Sequence, residues 1–353
     1  MPAYIMEEIG LKFAVGFSLR DEFDGLFSDI VRTYREHISE VYFSWLDTPS
    51  GRSPLATRSG YTDWSAQERC ERELRAIKDM GIKLDILFNG ACYGEFAMSE
   101  KLANNVISII NHLENKLAGV HIVTTTSPFV AGVVRSFFPH LEVRASVNMY
   151  IGTVKGMIHY ADLFDSYYVA RERNRNIKYL LTLKDWADKN DKKLMMLANS
   201  GCFSHCSGRY FHDNLVSHEG DICGGKSSDI INPFVCRRMV TKRENYHMLL
   251  ENTWIRPEDL HHYEGLFETV KLATRLCARP ERVIGAYVNR RFVGNLLDLL
   301  EPALSGVIAP YIIDNTAFPK DWFEYTHECP EDCGNCGYCS EILEKVLVDT
   351  SKW

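Results

Sequence analysis

Lys193-Leu194-Met195-Met196-Leu197-Ala198-Asn199-Ser200-Gly201-Cys202 decides the fold. A short apolar run closes on polar and small residues and delivers a cysteine, as a buried strand does when it ends in a loop that carries chemistry. Six similar runs precede it. Lys12 to Phe17, Glu40 to Trp45, Ile82 to Phe88, Val120 to Thr125, Leu141 to Val147 and Asp165 to Ala170 read as strands. Continuous apolar runs of this kind are expected of parallel strands buried on both faces. Amphipathic stretches fall between them at 21–37, 66–80, 99–117, 128–137, 153–161 and 176–189, and the first carries Phe27, Ile30, Val31 and Tyr34 on one face. Seven strand-helix alternations by residue 200 predict an α/β chain of the (β/α)8 TIM-barrel type. In such a barrel the loops at the C-terminal ends of the strands carry the site.

The seventh of those ends opens a cysteine-rich insertion over 201–237, holding Cys202, Cys206, Cys223 and Cys236. A second set, Cys329, Cys333, Cys336 and Cys339, is packed into eleven residues near the C-terminus, so eight of the eleven cysteines stand in two groups of four. Four thiolates suit one zinc ion or one iron-sulfur cluster. The compact spacing of the second set, with Pro330 after a cysteine and glycines between, favours iron-sulfur ligation. Zinc at this C-terminal site, disulfides and free thiols stay open. Cys329, Cys333 and Cys336 also match C-x3-C-x2-C, the radical SAM spacing, but that motif belongs after a barrel's first strand rather than near the chain's end. The expected organisation is a barrel domain over 1–325 and a cluster-bearing tail over 326–353, removable after Phe318. The expected cofactor is a [4Fe-4S] cluster, one or two of them.

Composition narrows the class. An apolar content of 46% allows a full core, and a net charge of -7 disfavours indiscriminate nucleic-acid binding while leaving a local RNA pocket open. No run approaches the ~18 apolar residues that cross a bilayer. Residues 1–11 lack the apolar centre of a signal peptide, so a cytoplasmic, reducing compartment is expected, where clustered cysteines more often bind metal than form bridges.

Several landmarks recur in order: Arg144-Ala145-Ser146-Val147-Asn148, Val169-Ala170-Arg171-Glu172, Asn199-Ser200-Gly201-Cys202, Ser207-Gly208-Arg209 and Cys236-Arg237. Trp254-Ile255-Arg256-Pro257-Glu258-Asp259-Leu260 and Val270-Lys271-Leu272-Ala273-Thr274-Arg275 continue the series. Together they resemble the peptidase U32 family over roughly residues 12 to 300. Despite that name, the family includes enzymes with a [4Fe-4S] cluster that hydroxylate without oxygen, taking the oxygen from prephenate. Their targets are the ubiquinone ring and particular tRNA and rRNA bases. The resemblance implies hydroxylation or a related redox modification here, with a quinone-like or other aromatic small molecule fitting this short acidic chain better than RNA. It also leaves open a second U32-family subunit as partner.

The family often has a second cysteine directly after Ser-Gly-Arg, where this chain has Tyr210, so Cys202 and Cys236 are the firmest ligands. Cys206 and Cys223 follow, with Cys92 a substitute. Arg171, Glu172, Arg209, Arg237, Lys271 and Arg275 fall at the landmarks and are the candidate catalytic residues. Arginine's planar fork matches the carboxylates of a dianionic donor. The ordinary alternative for each is a surface ion pair. His205, His212 and His218 flank the cysteines and could ligate metal or move a proton, though loop histidines are more often solvated. The rivals are a collagenase-like peptidase and an iron-sulfur electron carrier. No His-Glu-x-x-His or Gly-x-Ser-x-Gly motif supports proteolysis, and His261-His262-Tyr263-Glu264 has the wrong spacing for a zinc helix.

Overall fold

The computed structural model describes residues 10–20, 24–46, 55, 63–218 and 231–352. Eight parallel strands close into a barrel: β1 Lys12–Gly16, β2 Ile38–Ser44, β3 Lys83–Phe88, β4 Ile122–Thr125, β5 Glu142–Ala145, β6 Ser166–Tyr168, β7 Lys193–Leu197 and β8 Thr269–Leu272. The TIM-barrel expectation holds, and all seven strands read from the sequence are present. The eighth is the one the sequence concealed. It has four residues, one of them Lys271, and pairs with β1 (Ala14 against Lys271) and β7 (Leu197 against Lys271).

Helices cover the outside, and their starts follow from local chemistry. Ser99 caps α3 (Glu100–Leu117) through the Leu102 N–H at 3.2 Å, and Asn176 caps α6 (Ile177–Lys189) through the Tyr179 N–H at 2.9 Å. Each side chain satisfies a donor that has no partner within the first turn. Ser127 does the same for a helix over Pro128–Phe137, where Pro128 sits at a position that has no intrahelical bond to lose.

Strand alternation sorts the side chains into two populations. Phe13, Val15, Val41, Phe43, Leu84, Ile86, Val123, Val143, Met196, Val270 and Leu272 face outward into one apolar core with Val31, Leu74, Ile110, Val134 and Leu183 of the helices. The other alternates point into the barrel. There, small apolar groups of Ala14, Tyr42 and Leu87, and of Val147, Tyr168, Met195 and Leu197, share the space with buried Glu40, Asp85, Arg144 and Lys271.

Residues after β8 pack back on the barrel. Trp322 is buried and stacks on Trp254 at 5.8 Å, and Tyr338 stacks on Trp322 at 5.9 Å. A strand over Leu347–Asp349 pairs antiparallel with Tyr311–Ile313, and Ile342, Leu343 and Val346 join the main core. The C-terminal segment is thus knitted into the molecule by aromatic stacking, sheet pairing and burial. A cut after Phe318 would remove all three, which opposes the expectation that the tail is dispensable.

Candidate functional site

The barrel centre is a network of charged and hydroxyl side chains drawn from six strands. Arg144 on β5 donates to Glu40 on β2 at 3.1 Å, to Glu142 at 2.8 Å and to Ser166 on β6 at 3.0 Å, and lies 3.7 Å from Asp85 on β3. Thr124 on β4 donates to Asp85 at 2.8 Å. Lys271 on β8 places its Nζ 3.7 Å from the centre of the Tyr42 ring and 4.8 Å from that of Tyr168. Barrels of this type normally fill with branched apolar residues. Four buried charges here depart from that pattern.

Burial pushes the Asp85 carboxyl up to about 7, against the pull of Arg144. Burial likewise pushes Lys271 down to about 7, against the pull of Asp85. Two atoms of the network stay open: Asp85 Oδ1 and the Tyr168 hydroxyl are buried without a hydrogen-bond partner. Sequence reasoning singled out Lys271 through its landmark. It missed Glu40 and Asp85 as site residues and quoted Arg144 only within a segment, because each is one charge inside an apolar run and their partners are other strands.

Above the network, the loops leaving β6 and β7 meet. Gly201 is fixed by geometry: a Cβ there would stand 2.3 Å from the Pro302 carbonyl oxygen. Asn199 pins the same loop, donating to the Ala273 and Leu299 carbonyls at 2.9 and 2.8 Å. This rigid turn sets Ser200 to accept from Arg171 Nη1 at 3.2 Å, while the buried Arg171 Nε has no partner. Arg209 pairs with Glu172 and donates to the Phe203 carbonyl at 3.2 Å. Burial works to raise Glu172, but the Arg209 guanidinium outweighs it and holds the carboxyl below its usual range. Tyr150 lies under both guanidinium groups, 5.9 Å from Arg171 and 4.9 Å from Arg209.

The structure thus joins Arg171, Glu172 and Arg209 at one place, and Lys271 and Arg275 at another. Arg275 donates to Ser44 at 2.6 Å and lies 5.6 Å from the Tyr42 ring. Arg237 joins neither pair. It is exposed on a short helix, Val235–Met239, over the ring of Phe234.

Cys202, Cys206 and Cys236 are drawn together: burial raises the Cys236 thiol, and the nearby Cys202 and Cys206 raise it further. Cys223 lies outside the described residues. The tail set also acts as a group. Burial pushes Cys339 up to about 12, with Glu251, Cys329 and Cys333 adding to the rise and Arg175 opposing it. Cys333 is raised by burial first, then by Glu251, Cys329 and Cys336. All four tail cysteines line a cavity of about 840 Å³ together with Phe203 and His205 from the first cysteine loop. His205 Nε2 meets Glu331 at 2.9 Å and links the two loops.

A thiol raised by burial and by neighbouring cysteines, as Cys236, Cys333 and Cys339 are, is donor chemistry that a metal centre relieves, since binding requires the thiolate. In that respect both sets fit a thiolate-bound group. Among the described residues, no three Cys, His, Asp or Glu side chains converge closely enough for a single metal ion. Zinc gathers its sulfurs ~2.3 Å from one point, so zinc would require either set to contract. An iron-sulfur cluster is a larger body that meets each thiolate at a different iron.

Cys92, the substitute ligand, is engaged elsewhere. A hydrogen bond to His218, followed by the Gly94 N–H at 3.3 Å, holds its thiol below the ordinary range. Cys70 is buried and its thiol is pushed far up by burial, while Cys277 is partly buried.

No family model matches the chain. It is similar to an uncharacterized protease of Methanocaldococcus jannaschii, with 25% identity over 285 residues that cover 79% of this chain and 82% of that protein. The solved structure of the U32 peptidase Mk0906 superposes with a TM-score of 0.50 at 16% identity, covering 75% of this chain and 92% of that one. The latter likeness is one of fold. No helix among the described residues is long and apolar enough to cross a membrane.

Proposed function

We propose that the chain is a relative of the peptidase U32 family, a reading supported by its sequence landmarks and by the fold it shares with the U32 peptidase Mk0906, and that it is an iron-sulfur enzyme performing oxygen-independent hydroxylation or a related redox modification. The acceptor is an aromatic small molecule or nucleobase, with prephenate as oxygen donor. One observation carries the reading: Cys202 and Cys206 lie on the loop whose Ser200 and Phe203 hold Arg171 and Arg209, and Cys236 comes close enough from the helix Val235–Met239 for them to act on its thiol. These three cysteines, with Cys223 as the expected fourth, would hold a [4Fe-4S] cluster. When bound, the cluster supplies a Lewis-acidic iron or a one-electron relay.

The chain's own residues do the rest. Arg171, with its Nε unpartnered, offers a charge-assisted contact to a carboxylate, and Arg209 stands over the same tyrosine. Glu172 is kept ionised by Arg209 and so orients that guanidinium. Tyr150 walls the pair with a ring whose hydroxyl donates to Asp213.

A second reading, hydrolysis, draws on the hydrogen-bonded Cys92 and His218, since a thiol beside an imidazole is the usual form of an activated cysteine nucleophile. The relatives' names favour it. Anaerobic purification separates the two. The hydroxylase reading expects iron and acid-labile sulfide that fall in Cys236→Ser, and prephenate binding by titration calorimetry that weakens about ten-fold in Arg209→Lys as the bidentate fork is lost. Protein free of iron and sulfide, with casein cleavage abolished by Cys92→Ala, would overturn it in favour of hydrolysis.

A further inference from the structure

Arg175 lies between β6 and α6, one residue before the Asn176 cap. Its guanidinium packs over the rings of Trp254 at 4.5 Å and Trp322 at 5.3 Å, and donates to the carbonyls of Trp254 at 3.2 and 3.1 Å and of Leu250 at 3.0 Å. Several other arginines set into the fold have a carboxylate, whereas the buried Arg171 has Ser200. Arg144 has Glu40, Arg209 has Glu172, Arg256 has Asp259 at 2.9 Å, and Arg135 has Asp165 at 2.6 Å. Among the described residues, Arg175 has no Asp or Glu in ion-pair contact. Burial works to lower its basicity, and the acidic groups that oppose this are, in order, Cys339, Tyr263, Asp259 and Cys329. Arg175 lines the same cavity as all four tail cysteines.

A guanidinium stays charged under any condition the fold survives. A charge held off water by two indole rings needs an anion. Backbone carbonyls and neutral thiols supply only dipoles. Four thiolates around a zinc ion or an iron-sulfur core carry net negative charge, whichever of the two is bound.

We propose that Arg175 is the counter-cation of a metal-thiolate centre formed by Cys329, Cys333, Cys336 and Cys339, and that it fastens this centre to the barrel. The proposal rests on the reading of the tail cysteines as metal ligands. It assigns Arg175 a positioning role, acting through the thiolates. It also accounts for the tail's attachment: Trp322, which stacks on Tyr338 beside Cys339, presses on the same guanidinium. Removing the positive charge should loosen the centre's hold on metal and, if the metal is iron, favour the oxidised form and lower its midpoint potential.

The experiment uses the anaerobically prepared full chain, Arg175→Gln, Arg175→Lys and the doublet Cys336→Ser/Cys339→Ser. Metal content and the rate of metal release to a chelator are read in each. The doublet should lose the tail's share of metal. Release of that share should be at least about ten-fold faster in Arg175→Gln than in the wild type, and close to wild type in Arg175→Lys. The metal held by the Cys236 set should be unchanged in both. Equal metal content in wild type and doublet would remove the tail centre itself, and the proposal with it. A tail centre that releases metal at the wild-type rate in Arg175→Gln would leave the ligand reading standing and overturn the role of Arg175. Should Arg175→Gln fail to fold, Arg175→Lys decides alone: release of the tail's share at the wild-type rate supports the charge role, and release at least about ten-fold faster than wild type overturns it.

Discussion

The barrel's interior and the rim above it are built on opposite terms. Inside, Arg144 answers Glu40, Glu142 and Asp85 within one set of side chains, and Lys271 adds a second cation beside Asp85. The charges compensate one another, although Asp85 Oδ1 and the Tyr168 hydroxyl stay without a hydrogen-bond partner. At the rim, burial and the neighbouring Cys202 and Cys206 raise the Cys236 thiol, Arg171 keeps a buried donor without a partner, and among the described residues Arg175 has no carboxylate in ion-pair contact. Perturbed groups occur in both regions, and perturbation alone does not distinguish a scaffold from a site. What distinguishes them is closure. The interior cation Arg144 meets carboxylates, while the rim, on the reading proposed above, balances when a metal or an anion is added.

The largest expected effect tests the closed half. Arg144→Met leaves Glu40 and Asp85 buried, and Glu142 half-buried, around an apolar side chain. Breaking a buried ion pair from one side typically costs ~3 to 5 kcal/mol, and this substitution breaks several contacts at once. Denaturant unfolding under anaerobic conditions should show a loss of about that size, with iron content unchanged in the protein that stays folded. A loss below ~1 kcal/mol would mean that the interior is not held by this network.

A smaller effect concerns pH. Asp85 sits well above its ordinary value, so between about pH 4 and 7 the folded chain keeps a proton that the unfolded chain has released, and stability from this group falls as pH rises through that window. Lys271 sits below its ordinary value, so between about pH 7 and 10 the unfolded chain holds the extra proton and stability from this group rises with pH. The pair therefore places a trough near pH 7. Glu40, Arg144, Arg275 and Tyr42 all face it. Asp85→Asn removes the acid limb, so the variant should gain on the wild type as pH rises from about 5 to 7. A constant difference between the two across that range would show that Asp85 titrates at its ordinary value when folded.

The two halves were not equally legible. Seven strands could be read because the outward residue of each strand is apolar and the inward positions are few, so the runs look continuous; Val41 and Phe43 mask Glu40 and Tyr42 between them. The same masking hid the network, whose members come from β2, β3, β5 and β8 and meet only when the barrel closes. β8 itself escaped notice because Lys271 interrupts a run of four. The cysteine sets were plain from spacing, and Arg171, Glu172 and Arg209 from the landmarks they occupy. Arg175 was not, since its partners, Trp254 and the tail, arrive from far along the chain. The tail's attachment was missed for the same reason: Trp322 and Val346 look like ordinary residues of a short helix until the fold supplies Trp254 and the pairing strand.

The smallest expected effect separates arginines within the rim. From the sequence, Arg237 beside Cys236 looked as good a carboxylate grip as Arg171, since both fall at landmarks next to expected chemistry. In the fold Arg171 is buried with an open Nε, while Arg237 is exposed over Phe234, where water already solvates its charge. An exposed guanidinium has little to give a ligand, as screened surface contacts contribute ~0 to 1 kcal/mol. A buried fork losing one arm in Lys forfeits ~1.5 to 3 kcal/mol. Titration of prephenate into anaerobic protein should therefore show Arg171→Lys weakened by about ten-fold or more and Arg237→Lys within about two-fold of wild type, with the same cluster absorption in all three. Equal weakening in both variants would mean that the rim rearranges around the donor, bringing Arg237 inward, and that the division between Arg171 and Arg237 drawn from the unliganded rim does not survive binding.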